Sequence, residues 1–300
     1  MDVQVLTHVR ADHFFLELWT LYYGNMFGRG NLHIMIDGDD WDTHVDLSGI
    51  NLHVVKDVPR ERGDRNRFTA SWQSRFAKKL LKSCPLVLRT DIDEFVCVDP
   101  ASGVGLRQYL EALEPGSMKA AFGLDVIQGP DETPLIDDLP IFEQRRNAII
   151  TREFCKLVAV SKPLRWVGGF HRARNVDVDI SSALVLFHLA LVDRKIAAER
   201  IAERKSVPEH PTLGAHIEKR LDRFSELADT SPLSYDDTFN RALEQLMKTS
   251  PSRTGPHVGF IRDGNVTRGY HVRIPDRFVE VLPSLEALKH ARMRVASTAR

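Results

Sequence analysis

Leu86-Val87-Leu88-Arg89-Thr90-Asp91-Ile92-Asp93-Glu94-Phe95-Val96-Cys97-Val98 sets three carboxylates within four positions between two apolar runs. A short run of Leu and Val before the acids reads as a buried strand, with the acids at its carboxyl end. Like charges beside a hydrophobic strand are costly to bury unless something positive answers them. A divalent cation is the cheapest answer. Strand alternation sends Ile92 to one face and Asp91 and Asp93 to the other, so the two aspartates can hold a hard ion such as Mg²⁺ or Mn²⁺ and leave coordination sites for phosphate oxygens.

Upstream, strand and helix alternate. Val3–Val9 is rich in β-branched residues, and residues 12–23 carry Phe14, Phe15, Leu18, Trp19 and Tyr22 at helical spacing. Residues 32–36 read as a second strand closing in Asp37, and residues 52–55 as a third. An arginine-rich segment, 60–67, precedes a helix whose Phe68, Trp72, Phe76 and Leu80 recur every four residues and are expected to face the core. Such a chain builds an α/β, Rossmann-like, mostly parallel central sheet flanked by helices. Ligands in these sheets sit beyond the carboxyl ends of the strands, where Arg10, Asp37 and Asp91 all fall.

Downstream, residues 106–113 read as a short helix and residues 120–127 as a strand bearing Asp125. Residues 128–140 are rich in Pro, Asp and Gly, and a loop of that length is functional or mobile. Two more apolar runs, 154–160 and 183–191, flank Trp166-Val167-Gly168-Gly169-Phe170-His171. From Val192 the texture turns to mixed-charge helical pieces at 193–205, 213–227 and 237–247, separated by prolines. The expected organisation is a catalytic sheet domain over residues 1–192 and a mainly helical extension over residues 193–300.

The chain has 41 Lys plus Arg and 41 Asp plus Glu in 300 residues, so no global field argues for nucleic acid as a partner. No apolar run reaches the ~18–20 residues of a membrane span, and no signal core follows the N-terminus. Three cysteines without a CxxC pair suit a reducing compartment, hence a cytoplasmic setting. The charged patch at 194–205 reads as a solvated face or as a peripheral membrane contact.

Asp-x-Asp by itself says little, because it recurs at Asp37/Asp39, Asp40/Asp42 and Asp177/Asp179. The segment from Asp37 is no EF-hand: position 5 is Trp41, position 6 is not Gly, and position 12 is Ser48. Arg89-Thr90-Asp91-Ile92-Asp93-Glu94-Phe95, however, resembles the metal-binding motif of GT-A glycosyltransferases, in the family 2 and family 92-like group where Glu-Phe follows Asp-x-Asp. The resemblance covers roughly residues 1–205, including the aromatic helix before the motif and Leu184-Val185-Leu186-Phe187-His188 after it. It departs beyond His188, where the group often continues with an aromatic and a basic residue and this chain has Leu189-Ala190-Leu191-Val192-Asp193.

The resemblance implies that Asp91 and Asp93 bind a divalent cation through the diphosphate of a nucleotide-sugar, with His188 completing the site. An imidazole among the ligands favours Mn²⁺ over Mg²⁺. It also implies transfer of a sugar, from a UDP-sugar by expectation, to a glycan or glycoconjugate acceptor with inversion, and contact between Asp37 and the nucleoside. The leaving diphosphate gains charge as the bond breaks; Arg10, Arg65, Arg67 and Lys156 are the candidates to meet it. A base must take the acceptor proton: Asp125 is the first choice, with Asp131, Glu132 and Glu143 behind it. Glu94, Trp166 and His171 are candidates to touch sugar or acceptor, with Trp166 and His171 equally readable as core.

Three rivals stand beside this reading. Haloacid-dehalogenase phosphatases carry Asp-x-Asp on the first strand with Thr or Val where this chain has Phe95. Nucleotidyltransferases share the sheet and the metal but often carry a Gly-rich, Lys-containing loop after the first strand, where Arg10-Ala11-Asp12-His13 stands here. A non-catalytic carbohydrate-binding scaffold would need the motif acids to face away from any cleft.

Overall fold

The first strand, β1 (Val3–Val9), is buried along most of its length because it lies inside the sheet rather than at its edge. The structure is a computed structural model and describes residues 2–174, 176, 179–205, 211–248, 252–254, 257–259 and 269–298. Asp177 therefore lies outside the described residues. After β1 come α1 (His13–Phe27), β2 (Leu32–Asp37), β3 (Asn51–Val55), α2 (Arg62–Leu80), β4 (Leu86–Arg89) and β5 (Glu94–Val98). The middle of the chain supplies α3 (Leu106–Glu111), β6 (Met118–Ile127), α4 (Ile141–Gln144), β7 (Asn147–Ile150), β8 (Leu157–Val160), β9 (Arg165–Trp166), β10 (Arg172–Arg174) and β11 (Asp179–Leu191). Last are α5 (Arg194–Lys205), α6 (Pro211–Ala228), β12 (Leu233–Ser234), α7 (Tyr235–Lys248), β13 (Ser252–Thr254), β14 (His257–Gly259), β15 (Tyr270–Arg273) and α8 (Leu285–Thr298).

The α/β architecture read from the sequence is what the chain forms. Its main sheet runs β12-β15-β7-β6-β8-β4-β1-β2-β3, and β11 joins it beside β6. The βαβ half, β4-β1-β2-β3, is parallel throughout, with Val5 registered against both Leu32 and Leu88. Beyond β4, β8 and β7 enter antiparallel. The strand that decides the site is β11. It pairs antiparallel with β5, setting His188 against Glu94, and parallel with β6, setting His188 against Asp125.

The motif is not one continuous strand. β4 ends at Arg89 and β5 begins at Glu94, and the aspartates occupy the turn between them. The turn is closed by the Glu94 N–H donating to the Asp91 carbonyl at 3.1 Å, and by the Asp91 N–H donating to Glu94 Oε2 at 2.9 Å. Strand alternation does not govern residues in a turn, so Asp91 and Asp93 find different partners. Helix α1 holds the turn from below. Trp19 Nε1 donates to Thr90 Oγ1 at 2.9 Å, and the Tyr23 hydroxyl donates to the Glu94 carbonyl at 3.1 Å while accepting the Val96 N–H at 2.9 Å.

Helix α2 also departs from its simplest reading. Its deeply buried side is Thr69, Ala70, Gln73, Ser74 and Ala77, while Phe68, Trp72, Phe76 and Leu80 are half-buried beside it. Small residues let the helix approach closely. Trp72 and Phe76 splay over the imidazole of His53, and Phe76 also reaches His33.

Residues 193–300 supply α5, α6, α7 and α8, and they also supply strands β12 and β15 to the main sheet. The fully buried Arg145 ties the junction, its guanidinium pairing with Asp193 at 3.2 Å and donating to the Val192 carbonyl. Among the described residues no helix is long and apolar enough to cross a membrane.

Tyr23→Phe removes the hydroxyl that links the Glu94 carbonyl to the Val96 N–H at the start of β5 and leaves that buried N–H unpaired. A loss of about 1–3 kcal/mol is expected in urea unfolding, against little change for Tyr109→Phe, whose hydroxyl meets only the partly buried Ser181 hydroxyl.

Candidate active site

Where β4 and β11 end and β8 begins, the motif turn borders a cavity of about 1100 Å³. Asp91, Asp93, Lys156, His188, Arg200 and Arg220 all line it. The charge problem posed by the motif has an answer within the chain: protein cations meet each acid.

Asp91 faces inward. One oxygen pairs with the Arg89 guanidinium and the other with Lys156 Nζ at 2.6 Å. Lys156 Nζ also donates to Glu94 Oε1 at 2.5 Å, so one ammonium bridges two carboxylates. Arg89 is itself fixed, its Nε donating to Gln73 Oε1 at 2.8 Å and its guanidinium lying over the Phe170 ring. Phe170 holds a left-handed φ of 60°, a strained conformation for a residue with a side chain. Burial pushes the Asp91 carboxyl up, but Arg89, Lys156 and His8 outweigh it and hold it well below the usual carboxylate range. Burial likewise works against the charge on Lys156, and Asp91 and Glu94 overcome it, raising the ammonium pKa. Glu94 goes the other way, raised by burial and by the charge of Asp91.

Asp93 faces outward. Its Oδ2 accepts from Arg200 Nη2 at 2.8 Å and stands 3.7 Å from His188 Nε2. Burial raises its carboxyl, but His188 and Arg200 prevail and the pKa is lowered. Arg200 reaches across from α5, donating also to Asp12 at 2.7 Å and lying over the Phe15 ring.

His188 is oriented by its neighbours in the sheet. Its Nδ1 is 2.7 Å from Asp125 Oδ1, and its ring stacks on Phe154 at 4.0 Å. Asp125 is fully buried and also takes Arg220 Nη2 at 3.1 Å and Arg223 Nη1 at 3.4 Å. Burial favours its neutral form, yet Arg220, His188 and Arg223 bring the pKa down to about 2. An ionised Asp125 can only accept, so Nδ1 carries the proton toward it, and Nε2 is left facing Asp93 and the cavity with Arg220 Nη1 at 3.5 Å.

Two donors bound to one Mn²⁺ or Mg²⁺ at about 2.1 Å lie roughly 3–4 Å apart, which the 3.7 Å between Asp93 and His188 matches. A buried carboxylate behind the imidazole is the usual support of a metal-bound histidine. Asp93 and His188 therefore fit a divalent cation in chemistry and spacing. Asp91 is turned to Arg89 and Lys156, and among the described residues no group of three His, Cys, Asp or Glu side chains is arranged to hold a metal ion.

The other residues singled out by sequence fall in several places. Lys156 is at the site, and His171 borders the cavity with Nδ1 2.7 Å from the Glu153 carbonyl. Burial and Lys156 lower its imidazole to about 3, so it is neutral. Arg10 pairs with Asp40 at 2.6 Å and donates to the Asp37 carbonyl, while the buried Asp37 carboxylate is taken by Arg65. Neither Arg10 nor Asp37 borders the cavity. Glu94 is buried under Asp91. Trp166 is core, packed with Phe170, its Nε1 donating to the Leu157 carbonyl at 3.4 Å.

Arg200, Arg220 and Arg223 were not singled out by the sequence. For Arg200 one signal existed: it shares a helical face with Ile196, Ala197 and Ile201, and a charge on an apolar stripe needs a partner. Arg220 and Arg223 stand one helical turn apart, alternating with Leu221, Phe224 and Leu227, a pattern shared by any surface helix.

Neither a family model nor a curated protein matches the sequence. Among solved structures, the chain is similar to the crystal structure of mannose-1-phosphate geranyltransferase from Thermus thermophilus, with 15% identity, 93% of this chain and 76% of that chain covered, and a TM-score of 0.30. A likeness that weak carries no argument about the site.

Because Asp125 is lowered to about 2 in the fold, against about 3.9 unfolded, its linkage contribution is present above pH ~4 and is lost as the pH falls through ~2. Asp125→Asn is expected to cost roughly 2 kcal/mol or more at pH 7. In urea unfolding from pH 7 to pH 2.5 the gap to the parent should narrow only below pH ~4; a gap independent of pH refutes the assignment.

Proposed function

We propose that this chain is a glycosyltransferase that moves a sugar from a nucleotide-diphosphate sugar to a hydroxyl of a glycan or glycoconjugate by a single inverting displacement, with UDP-sugars as the first donors to try. The observation that carries the reading is one cavity in which the motif acids stand among Lys156, Arg200, Arg220 and Arg223. Its volume, about 1100 Å³, lies at the upper end of small-molecule sites and suits a nucleotide joined to a sugar. Breaking the anomeric C–O bond leaves the electron pair on the diphosphate. Fixed cations in a partly dry wall stabilise that charge more in the transition state than in the ground state. Lys156 is held rigidly between Asp91 and Glu94 and costs little reorganisation as the charge develops.

When bound, a Mn²⁺ or Mg²⁺ ion would be held by Asp93 and His188 and would supply further positive charge to the leaving diphosphate. Asp125, on Nδ1, keeps the His188 Nε2 edge turned to the cavity. Phe154, stacked on His188, lies under Lys156 and Arg220, and it keeps water from that side of the ring. The three cysteines are free and buried, which supports a cytoplasmic setting.

The test is a thermal-shift panel of UDP-glucose, UDP-N-acetylglucosamine and GDP-mannose with and without Mn²⁺, on the parent, Asp93→Asn and Lys156→Ala. At least one donor should stabilise the parent, by about 2.7 kcal/mol at a hundredfold excess over Kd. The increment added by Mn²⁺ should vanish in Asp93→Asn, and Lys156→Ala should weaken donor binding in either condition. Slow release of nucleoside diphosphate separates a transferase from a scaffold. If instead UTP and glucose 1-phosphate release pyrophosphate, the chain is a nucleotidyltransferase and this reading is wrong.

A further inference from the structure

Resting on that reading, the structure narrows the search for the group that takes the acceptor proton. None of the four acids suggested by sequence borders the cavity. Asp125 is buried behind His188. Glu132 knits its own loop, accepting from Gly129 N, Arg146 N and Asn147 Nδ2. Asp131 and Glu143 are exposed elsewhere.

Among the described residues five carboxylates border it: Asp91, Asp93, Glu153, Glu226 and Asp229. Asp91 and Asp93 are each met by cations that lower their proton affinity. Glu226 and Asp229 are exposed at the carboxyl end of α6, where side chains of that length are free to move. Glu153 differs from all four. It is half-buried on the single 3-10 turn Arg152–Phe154 between β7 and β8, and its carboxylate meets Arg223 only at a long 3.5 Å.

The turn that carries it is rigid. The Glu153 N–H donates to Thr151 Oγ1 at 3.3 Å, and its carbonyl stands 2.7 Å from His171 Nδ1. Next door, Phe154 is stacked on His188, and Gly123 of β6 leaves room for the turn, because a Cβ there would run into the Phe154 backbone. Phe154 thus forms a wall with His188 on its face and Glu153 as its chain neighbour.

We propose that Glu153 is the general base. The acceptor oxygen forms its bond to the anomeric carbon as the bond from that carbon to the diphosphate oxygen breaks, and the electron pair leaves with the nucleoside diphosphate. The hydroxyl proton passes to the Glu153 carboxylate, and the acid so formed returns it to solvent. Arg223, which bridges Glu153 and Asp125, keeps the carboxylate turned toward the cavity.

The experiment measures nucleoside diphosphate release from UDP-glucose, UDP-N-acetylglucosamine and GDP-mannose, with water in the acceptor's place, for the full chain and for Glu153→Gln, Glu226→Gln and Asp229→Asn. Glu153→Gln is close in shape to the parent. It should lose about 100-fold or more in kcat, with KM and the donor-induced thermal shift unchanged. Glu226→Gln and Asp229→Asn, exposed where they border the cavity, should each lose far less in kcat than Glu153→Gln. Glu153→Gln within about threefold of the parent, an equal loss in Glu226→Gln, or a loss explained by weaker donor binding each overturns the assignment. A parent that neither binds nor cleaves any of these donors overturns this inference together with the glycosyltransferase reading, whereas a parent that does both leaves only Glu153 on trial.

Discussion

A single buried ammonium, Lys156 Nζ, stands between Asp91 at 2.6 Å and Glu94 at 2.5 Å, and the geometry of the motif follows from that bridge. Two carboxylates three residues apart cannot both ionise beside a hydrophobic sheet without a shared counter-charge. Lys156 supplies it from the start of β8, a strand that pairs directly with β4. The pairing brings the cation to the acids as a consequence of topology. Breaking such a buried pair by removing one partner typically costs about 3–5 kcal/mol, so the bridge constrains where β4, β5 and β8 can sit as well as the charge state of the site.

The second constraint is the register of β11. One residue of slip would turn His188 to the opposite face and part it from Asp125. Its antiparallel partner β5 and its parallel partner β6 together hold it in place, and the shared core of Phe95, Phe122, Leu186 and Phe187 sets the packing of the three strands. The same register stations Asp125 in the sheet interior, where its charge is admissible only because His188, Arg220 and Arg223 surround it. The sheet thus delivers both the imidazole and the carboxylate that orients it.

Local patterns in the chain were sufficient for β1, α1, β2, β3, α2 and β4, because each is a short apolar or amphipathic run bounded by turn residues and each contacts its sequence neighbours. The acids of the motif and the downstream His188 were legible for the same reason. The antiparallel half was harder to read, since β7, β8 and β15 are four residues each and their order in the sheet is set by long-range pairing. Side-chain roles were hardest of all. Asp37 ends a strand where an α/β sheet presents ligand contacts, yet Arg65 closes over it, and Trp166, on β9 outside the main sheet, is buried against Phe170. Arg200, Arg220 and Glu153 belong to the site through tertiary proximity, and local periodicity marks only the first of them, through its place on an apolar helix face.

The two aspartates of the motif are therefore not equivalent, although the sequence presents them as a pair. The two close partners of Asp91 are part of the folded interior: Arg89 is pinned by Gln73 and Phe170, and Lys156 by Glu94. Asp93 is met by Arg200 and His188, the first from a helix outside the sheet and the second held with its free nitrogen toward the cavity. Moving Asp91 would require disturbing the core, whereas loss of the largely buried Arg200–Asp93 pair would leave Arg200 with Asp12 at 2.7 Å. An incoming anion can likewise draw Arg200 and Arg220 away from their resting partners without leaving either carboxylate alone, since Asp93 retains His188 and Asp125 retains His188 and Arg223. The Asp93 side is thus built from pairs that each leave their carboxylate a second partner, while the Asp91 side is held by groups fixed in the sheet and its underlying helix.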